Sequence, residues 1–288
     1  MAHIEPKGRN SRKVRSLPVC MGAASMGMLL LQHPAASQTA VSSAVVARSE
    51  IKHDVSRPLT ILTSKAVSAG RVLRAVLKPN LPTPNLTPDD GAIQTQALTP
   101  FAATIKRAGL GVGQGDFGYT DLYAPSDTSG SLGDTQCVQM INASFAVFSK
   151  STGAKTYGPV STNTVWSGFG GSCETDNDGD GAVVFDRAAH RWVIEQFAVT
   201  AAPYMECVAV STSADAMGTY NRYAFSYGSQ FPDYPKIGVW PDAYYVTFNQ
   251  FLNGVLFTGA LTCAYDRAAM LAGRRRPSNA SRCPAMPV

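Results

Sequence analysis

Five acidic side chains lie close together between residues 172 and 186, where the chain reads SCETDNDGDGAVVFD. Four of them occupy alternating positions: Glu174, Asp176, Asp178 and Asp180. Carboxylates at this spacing, with Gly179 to permit a sharp turn, suit a hard cation such as Ca²⁺. The EF-hand template does not fit, because counting from Glu174 places Phe185 where its bidentate acid belongs. The stretch therefore predicts either a calcium site of another kind or an exposed acidic turn before a β-strand.

A second set of acids opens three similar stretches of sequence. The stretches are GDTQCVQMINASFAVFSKSTG, GDGAVVFDRAAHRWVIEQF and PDYPKIGVWPDAYYVTFNQF. Their opening acids are Asp134, Asp180 and Asp233, which are 46 and 53 residues apart. If the three stretches fold alike around one axis, these acids converge on a central channel, together with Asp178 and Asp242. Crowded carboxylates either bind a cation or raise one another's pKa, which can supply the general acid of a glycosidase.

Other catalytic patterns are missing or weak. The chain contains no Ser-x-Asp-x-Gly-x-x-Trp box, no H-E-x-x-H and no G-x-S-x-G pattern, and its arginines are scattered between residues 111 and 263. His190 is the only histidine in that region, and its place in DRAAHRW indicates an exposed turn. The tryptophans and tyrosines fall at strand positions, where packing between sheets is the ordinary explanation. The sequence therefore offers carboxylate sites but gives no direct support for catalysis.

The elements that would position these acids are short antiparallel strands. Each of the three stretches runs through an apolar strand into an aromatic-rich one, and further strand pairs lie between them. Such repeats are typical of a β-propeller, although three units are too few to close a ring. We expect an all-β fold, a partial and open β-propeller of about three antiparallel blades. The alternative is a β-sandwich.

The ends of the chain differ from its centre. Residues 1–37 have a basic start, a short apolar run and small residues at Ala35 to Ser37, which predict a signal peptide. Residues 38–110 are expected to be a linker or weakly ordered lead-in, with one strand near Ala66–Leu77. Residues 111–271 form the predicted partial propeller domain, and residues 272–288 an irregular tail.

The charge of the chain argues against nucleic acid as a partner. The formal net charge is +5, but residues 111–263 carry six Lys or Arg against fourteen Asp or Glu. The basic character therefore belongs to the ends and not to the predicted domain. After signal removal no remaining segment is apolar and long enough to cross a membrane. These features predict a secreted or periplasmic protein that binds neither nucleic acid nor membrane.

The cysteines fit an oxidising compartment. Cys173 and Cys207 flank a predicted hairpin and are expected to form a disulfide. Cys263 with Cys283 is a weaker second pair, which leaves Cys137 as a small buried side chain. No C-x-x-C pattern occurs, so neither zinc nor thioredoxin-type redox chemistry is indicated.

From Gly111 onward the chain resembles a family of large secreted bacterial proteins with a sialidase-like β-propeller. The resemblance lies in GVGQGDFGYTDLYAPSDTSGSLGDTQ, WSGFGGSCETDNDGDGAVVFDRAAHRWVIEQF, CVAVSTSADAMGTYNRYAF and FPDYPKIGVWPDAYYVTFNQF, and extends to about Leu271. This chain differs at Gly181, where members usually have proline, and at Cys137, where they usually have an aromatic residue. The resemblance implies that the chain is a truncated N-terminal part of such a protein, and it supplies no catalytic residues.

The expected function is that of a secreted extracellular ligand-binding or scaffold module, stabilised by calcium. Its ligand is unknown, with a glycan as one candidate class. The alternative is a fragment of a glycan-active hydrolase with a sialidase-like propeller.

Overall fold

The computed structural model describes residues 45–63, 108–119, 126–274 and 281–284, with side chains excluded for 45–47 and 281–284. The predicted signal peptide and the predicted strand near Ala66–Leu77 lie outside these residues. The fourteen strands are β1 (Val45–Arg48), β2 (Glu50–Val55), β3 (Ser129–Leu132), β4 (Gln136–Ile141), β5 (Ser144–Ser149), β6 (Lys155–Ser161), β7 (Ala182–Asp186), β8 (Arg191–Ala198), β9 (Tyr204–Ser211), β10 (Tyr220–Gly228), β11 (Gln230–Val239), β12 (Ala243–Leu252), β13 (Leu256–Asp266) and β14 (Ser281–Pro284). Two short helices, α1 (Ser172–Thr175) and α2 (Arg267–Leu271), accompany them. The prediction of an all-β fold is confirmed.

The strands form three antiparallel sheets. Sheet 1 has the order β3-β4-β5-β6, sheet 2 the order β7-β8-β9-β10-β2, and sheet 3 the order β11-β12-β13-β14-β1. Consecutive strands are joined by tight turns at residues that accept positive φ, such as Ala143 between β4 and β5 and Asn253-Gly254 between β12 and β13. Each sheet is therefore a simple meander, completed in sheets 2 and 3 by a strand from the amino-terminal segment.

Sheet 2 is the middle layer of the fold. Trp192 and Ile194 on β8 pack towards sheet 1, in the cluster that contains Phe145 and Val147. Val193, which lies between them in sequence, packs towards sheet 3 against residues such as Val246. Because side chains alternate along a strand, one sheet contributes to two separate cores. Almost every position of β8 is therefore buried.

The first strands of the three sheets lie next to one another. The N–H groups of Val183 and Phe185 on β7 donate to the hydroxyls of Ser129 and Ser131 on β3, at 3.1 and 3.0 Å. The equal two-residue steps show that β3 and β7 run in the same direction. β11 also contacts β7. The beginnings of β3 and β7 therefore lie at the same end, and the turns that follow these two strands lie at the other.

A buried ion pair joins sheet 2 to the end of sheet 3. The carboxylate of Asp186, at the end of β7, accepts from Nε and Nη2 of Arg267 in α2, at 2.6 and 3.1 Å. It also accepts from the hydroxyl of Tyr244 on β12 and from the N–H groups of Ala188 and Ala189. Five hydrogen bonds therefore satisfy this fully buried carboxylate and fix the β7–β8 turn.

The two outer segments of the chain contribute more structure than the sequence indicates. The predicted lead-in 38–110 supplies β1 and β2, and the tail 272–288, expected to be irregular, includes β14, which pairs with β1 and β13. The guanidinium of Arg222 on β10 binds Asp54 on β2 at 2.8 and 2.7 Å and donates to main-chain oxygens of Val165 and Ser167. The sequence did not predict these strands because they are short and have no alternating apolar face.

Candidate functional site

Three aspartates on the first strands of the sheets, or just before them, act on one another electrostatically. Asp127 and Asp180 each lie two residues before their strands, β3 and β7. Asp233 lies just before the bulge in β11, after which regular pairing resumes at Lys236. The spacing between successive aspartates is 53 residues in both cases. We refer to Asp127, Asp180 and Asp233 as the aspartate cluster.

Asp180 is the central member of the aspartate cluster. Burial raises the pKa of its carboxyl group to about 7, and the charges of Asp127 and Asp233 act in the same direction. Hydrogen bonding with the Asp127 side chain raises this pKa further, whereas the charge of Lys236 lowers it. When carboxyl groups are neighbours, the negative charge of one makes ionisation of the next less favourable. Asp180 therefore takes up a proton much more readily than an ordinary aspartate does.

Asn142, in the β4–β5 turn, connects Asp127 and Asp180. Its Nδ2 donates to Oδ2 of Asp127 at 2.9 Å, and its Oδ1 accepts the main-chain N–H of Asp180 at 2.7 Å. A Cβ atom at Gly179 would lie 2.6 Å from the same Oδ1, so glycine is required for this approach. A turn of sheet 1 therefore fixes the acid that opens sheet 2.

The backbone is strained at the cluster in all three repeats. Asp127, Asp180 and Tyr234 have φ values of 39°, 46° and 54°, a region that residues other than glycine rarely adopt. Such strain is found most often at functional sites. Tyr234 is 42% exposed, and Nζ of Lys236 lies 3.4 Å from the centre of its ring. The site therefore combines carboxylates, a cation and an accessible aromatic ring.

Two of the other three acids that we expected at a central channel, Asp134 and Asp242, lie in exposed turns. Asp134 is exposed in the turn after β3, where its Oδ2 lies 2.8 Å from Nδ1 of His190. Asp242 is exposed in the turn after β11 and accepts a hydrogen bond from the hydroxyl of Tyr245 at 2.9 Å. Both follow the ends of first strands, whereas Asp127 and Asp180 precede their strands and Asp233 lies within the first half of β11. The structure thus brings Asp180 and Asp233 together, but not Asp134 and Asp242.

Sequence reasoning missed Asp127. The stretch SDTSGSL was not aligned with the other two repeats, because Asp134 also lies beside a glycine and precedes a more apolar strand. The equal spacing of 53 residues was the signal that could have identified Asp127.

The acids of the predicted calcium loop are held by separate local contacts. Glu174 accepts the N–H groups of Gly168 and Gly170 at 2.9 and 2.6 Å, and Asp176 accepts from the hydroxyl of Thr175 at 2.8 Å. Asp178 is buried and accepts the N–H of Val199 at 2.6 Å and the hydroxyl of Thr200. Among the described residues no three His, Cys, Asp or Glu side chains are grouped so as to hold a metal ion. Calcium binding by Glu174, Asp176, Asp178 and Asp180 stays a prediction.

The predicted disulfide between Cys173 and Cys207 is confirmed, with 5.8 Å between the Cα atoms. It ties α1 to β9 within the core between sheets 1 and 2. Cys137 is a free, half-buried thiol. Cys263 is also disulfide-bonded, but the side chain of Cys283, its predicted partner, lies outside the described residues.

The described part of the chain has no helix long and apolar enough to span a membrane. Comparison of the whole chain with known protein families, with curated proteins and with solved structures finds no match.

Proposed function

We propose that this protein is a secreted binding module, built as a partial β-propeller, whose aspartate cluster binds a hydroxyl-rich ligand such as a glycan. The observation that carries the proposal is that three aspartates, spaced 53 residues apart on or just before neighbouring first strands, act on one another electrostatically.

The arrangement of the sheets supports a propeller over a sandwich. Each sheet is a meander, and the first strands of the three sheets lie together, with β3 and β7 running in the same direction. In propellers the first strands surround a central axis, where ligands bind. A sandwich of facing sheets does not require first strands to meet in this way.

The chemistry of the cluster supports a hydroxyl-rich ligand. Ionised carboxylates accept hydrogen bonds, and a protonated carboxyl also donates one, so the cluster can bind hydroxyl groups in both directions. The exposed ring of Tyr234 beside Asp233 offers an apolar face for the C–H groups of a sugar. Secretion is supported by the amino-terminal pattern and by the buried disulfide, which is typical of oxidising compartments.

Binding to the aspartate cluster is tested by screening immobilised glycans and then measuring affinity calorimetrically. We expect Asp180→Asn and Asp233→Asn to weaken binding at least tenfold. Asp134→Asn and Asp242→Asn are matched controls, because these acids are exposed and follow the opposite ends of the strands. Equal losses in both pairs, or a blank screen for the folded wild type, would contradict the proposal.

Glycan hydrolysis is the second candidate function, and one observation favours it. An acid with a pKa of about 7, as at Asp180, is protonated in about half of the molecules at neutral pH and can donate its proton to a leaving group. Release of reducing sugar from a ligand found in the screen would test this activity. Turnover that persists in Asp180→Asn would exclude Asp180 as the general acid.

A further inference from the structure

Two glutamates lie in the layer between sheets 2 and 3. Glu195 on β8 and Glu206 on β9 are both 0% exposed. Glu195 lies two residues from Val193 on β8, and Glu206 lies two residues from Val208 on β9. Residues two apart on a strand share a face, and both valines pack in the core facing sheet 3. Both carboxyl groups therefore point into that layer. Glu195 pairs with Val208, which makes Glu206 its diagonal neighbour on the same face. Diagonal neighbours are roughly 7–8 Å apart, within reach of two long side chains.

The carboxyl groups of Glu195 and Glu206 are unsatisfied. None of their four oxygen atoms has a hydrogen-bond partner among the described residues. Asp186 and Asp178, which are also buried, each receive several hydrogen bonds. Burying an ionised carboxylate without a partner is costly, and buried charges are normally paired or bound to metal ions. The two glutamates are therefore an exception that requires a chemical explanation.

The groups around the pair come from several strands. The hydroxyls of Tyr227 on β10 and Tyr265 on β13 lie 2.9 Å apart, and the charges of both glutamates act on them. Lys236 on β11 is the cation that acts on Glu195, and the guanidinium of Arg48 lies 5.0 Å from the centre of the Tyr227 ring. Burial raises the pKa of Glu195 to about 8 and that of Glu206 well above its usual range, where the charge of Glu195 adds to the effect.

Either protonation or a bound cation can neutralise two such carboxyl groups. Protonation leaves each new O–H group in need of an acceptor, whereas one cation satisfies oxygens from both residues. We propose that Glu195 and Glu206 form a binding site for a hard divalent cation, such as Ca²⁺, between sheets 2 and 3.

The donor set suits a hard cation. It consists of oxygens alone, since Cys263, whose sulphur lies 3.2 Å from the hydroxyl of Tyr227, is disulfide-bonded and provides no thiolate. When both glutamates are ionised, the pair has a charge of −2, which one divalent ion neutralises. Lys236 is the nearby positive charge that would repel the ion, and its side chain is exposed. The hydroxyls of Tyr227 and Tyr265 are further oxygen atoms near the pair. Its two carboxyl groups differ from those of the aspartate cluster and of residues 174–180, although Lys236 acts on both Asp180 and Glu195.

The test is thermal unfolding of the full chain, treated with a chelator and then measured with and without CaCl₂ at about pH 8. At a hundredfold excess over Kd we expect Ca²⁺ to raise the wild-type Tm by roughly 5–10 °C. Glu195→Gln and Glu206→Gln, which keep the shape of the side chain, remove that rise. Asp180→Asn and Glu174→Gln, the matched controls in the other two acidic groups, keep it.

Tb³⁺ luminescence gives a second readout that does not depend on stability. Tb³⁺ replaces Ca²⁺, and excitation of tyrosine near the ion sensitises its emission, so the signal should fall in both glutamine variants and remain in both controls. If the Ca²⁺ effect is lost only in Glu174→Gln or only in Asp180→Asn, the cation binds at that acidic group and the proposal is overturned. No Ca²⁺ effect, with glutamine variants as stable as the wild type, would show protonated glutamates and would also overturn it. Failure of glycan binding would leave this result unchanged.

Discussion

Replacement of Arg267 by methionine tests whether the buried ion pair with Asp186 holds sheets 2 and 3 together. The Asp186 side chain is fully buried, and that of Arg267 is 14% exposed. Burial alone raises the pKa of Asp186, but hydrogen bonds from Arg267, Ala189 and Tyr244 outweigh it and lower that pKa. Loss of one partner of a buried pair costs about 3–5 kcal/mol. Because Asp186 keeps three other hydrogen bonds, we expect the lower end of this range, a Tm lower by roughly 6–12 °C.

The assay is thermal and urea unfolding followed by circular dichroism, with Arg191→Met as the matched control. Arg191 donates only to main-chain oxygens of its own turn, so its loss should cost less than about 1 kcal/mol. The pKa of Asp186 is lowered in the folded state, so the pair stabilises the fold above the ordinary pKa and ceases to do so as the pH falls through the folded-state pKa. The difference between wild type and Arg267→Met should therefore shrink in acid. Equal effects of the two substitutions, or a difference independent of pH, would refute this reasoning.

The disulfide and Asp180 give two further predictions. Replacing both Cys173 and Cys207 by serine should lower the free energy of unfolding by about 4 kcal/mol, because the disulfide closes a loop with a sequence separation of 34. Urea titration measures this change, and a loss below about 1 kcal/mol would contradict the prediction. Asp180→Asn should gain stability relative to wild type as the pH rises from about 4 to about 7, since the raised pKa of Asp180 stabilises the protonated folded form and that contribution is lost on ionisation. Melting curves across this range test the sign, and a constant difference would show that Asp180 ionises normally.

The fold was predictable where its signals are local. The strand pairs around DRAAHR and at Asn253-Gly254 combine apolar alternation with turn residues, and the structure has hairpins at both. The Cys173–Cys207 pair was predictable because both residues flank the same hairpin region. β2 was not, because its residues alternate no apolar face and its place depends on Arg222, which is 168 residues from Asp54.

The candidate site was predictable in part for a similar reason. Asp180 and Asp233 were identified from their repeats, but the choice between Asp127 and Asp134 depends on which end of β3 faces the other strands. That orientation is set by contacts between sheets, such as the hydrogen bond from Val183 to Ser129. The unsatisfied Glu195 and Glu206 could not be identified at all, because charged residues inside strands ordinarily point to solvent.

The outer position of β2 has a consequence for the order in which the chain assembles. Residues 50–55 leave the ribosome long before their partner β10 is made. The outer edge of β10 is then open to intermolecular pairing until β2 pairs with it. Closure of sheet 2 therefore joins segments that are far apart in sequence, and long-range closures of this kind slow folding. A chaperone that protects this protein would have to remain bound until residues 220–228 have emerged.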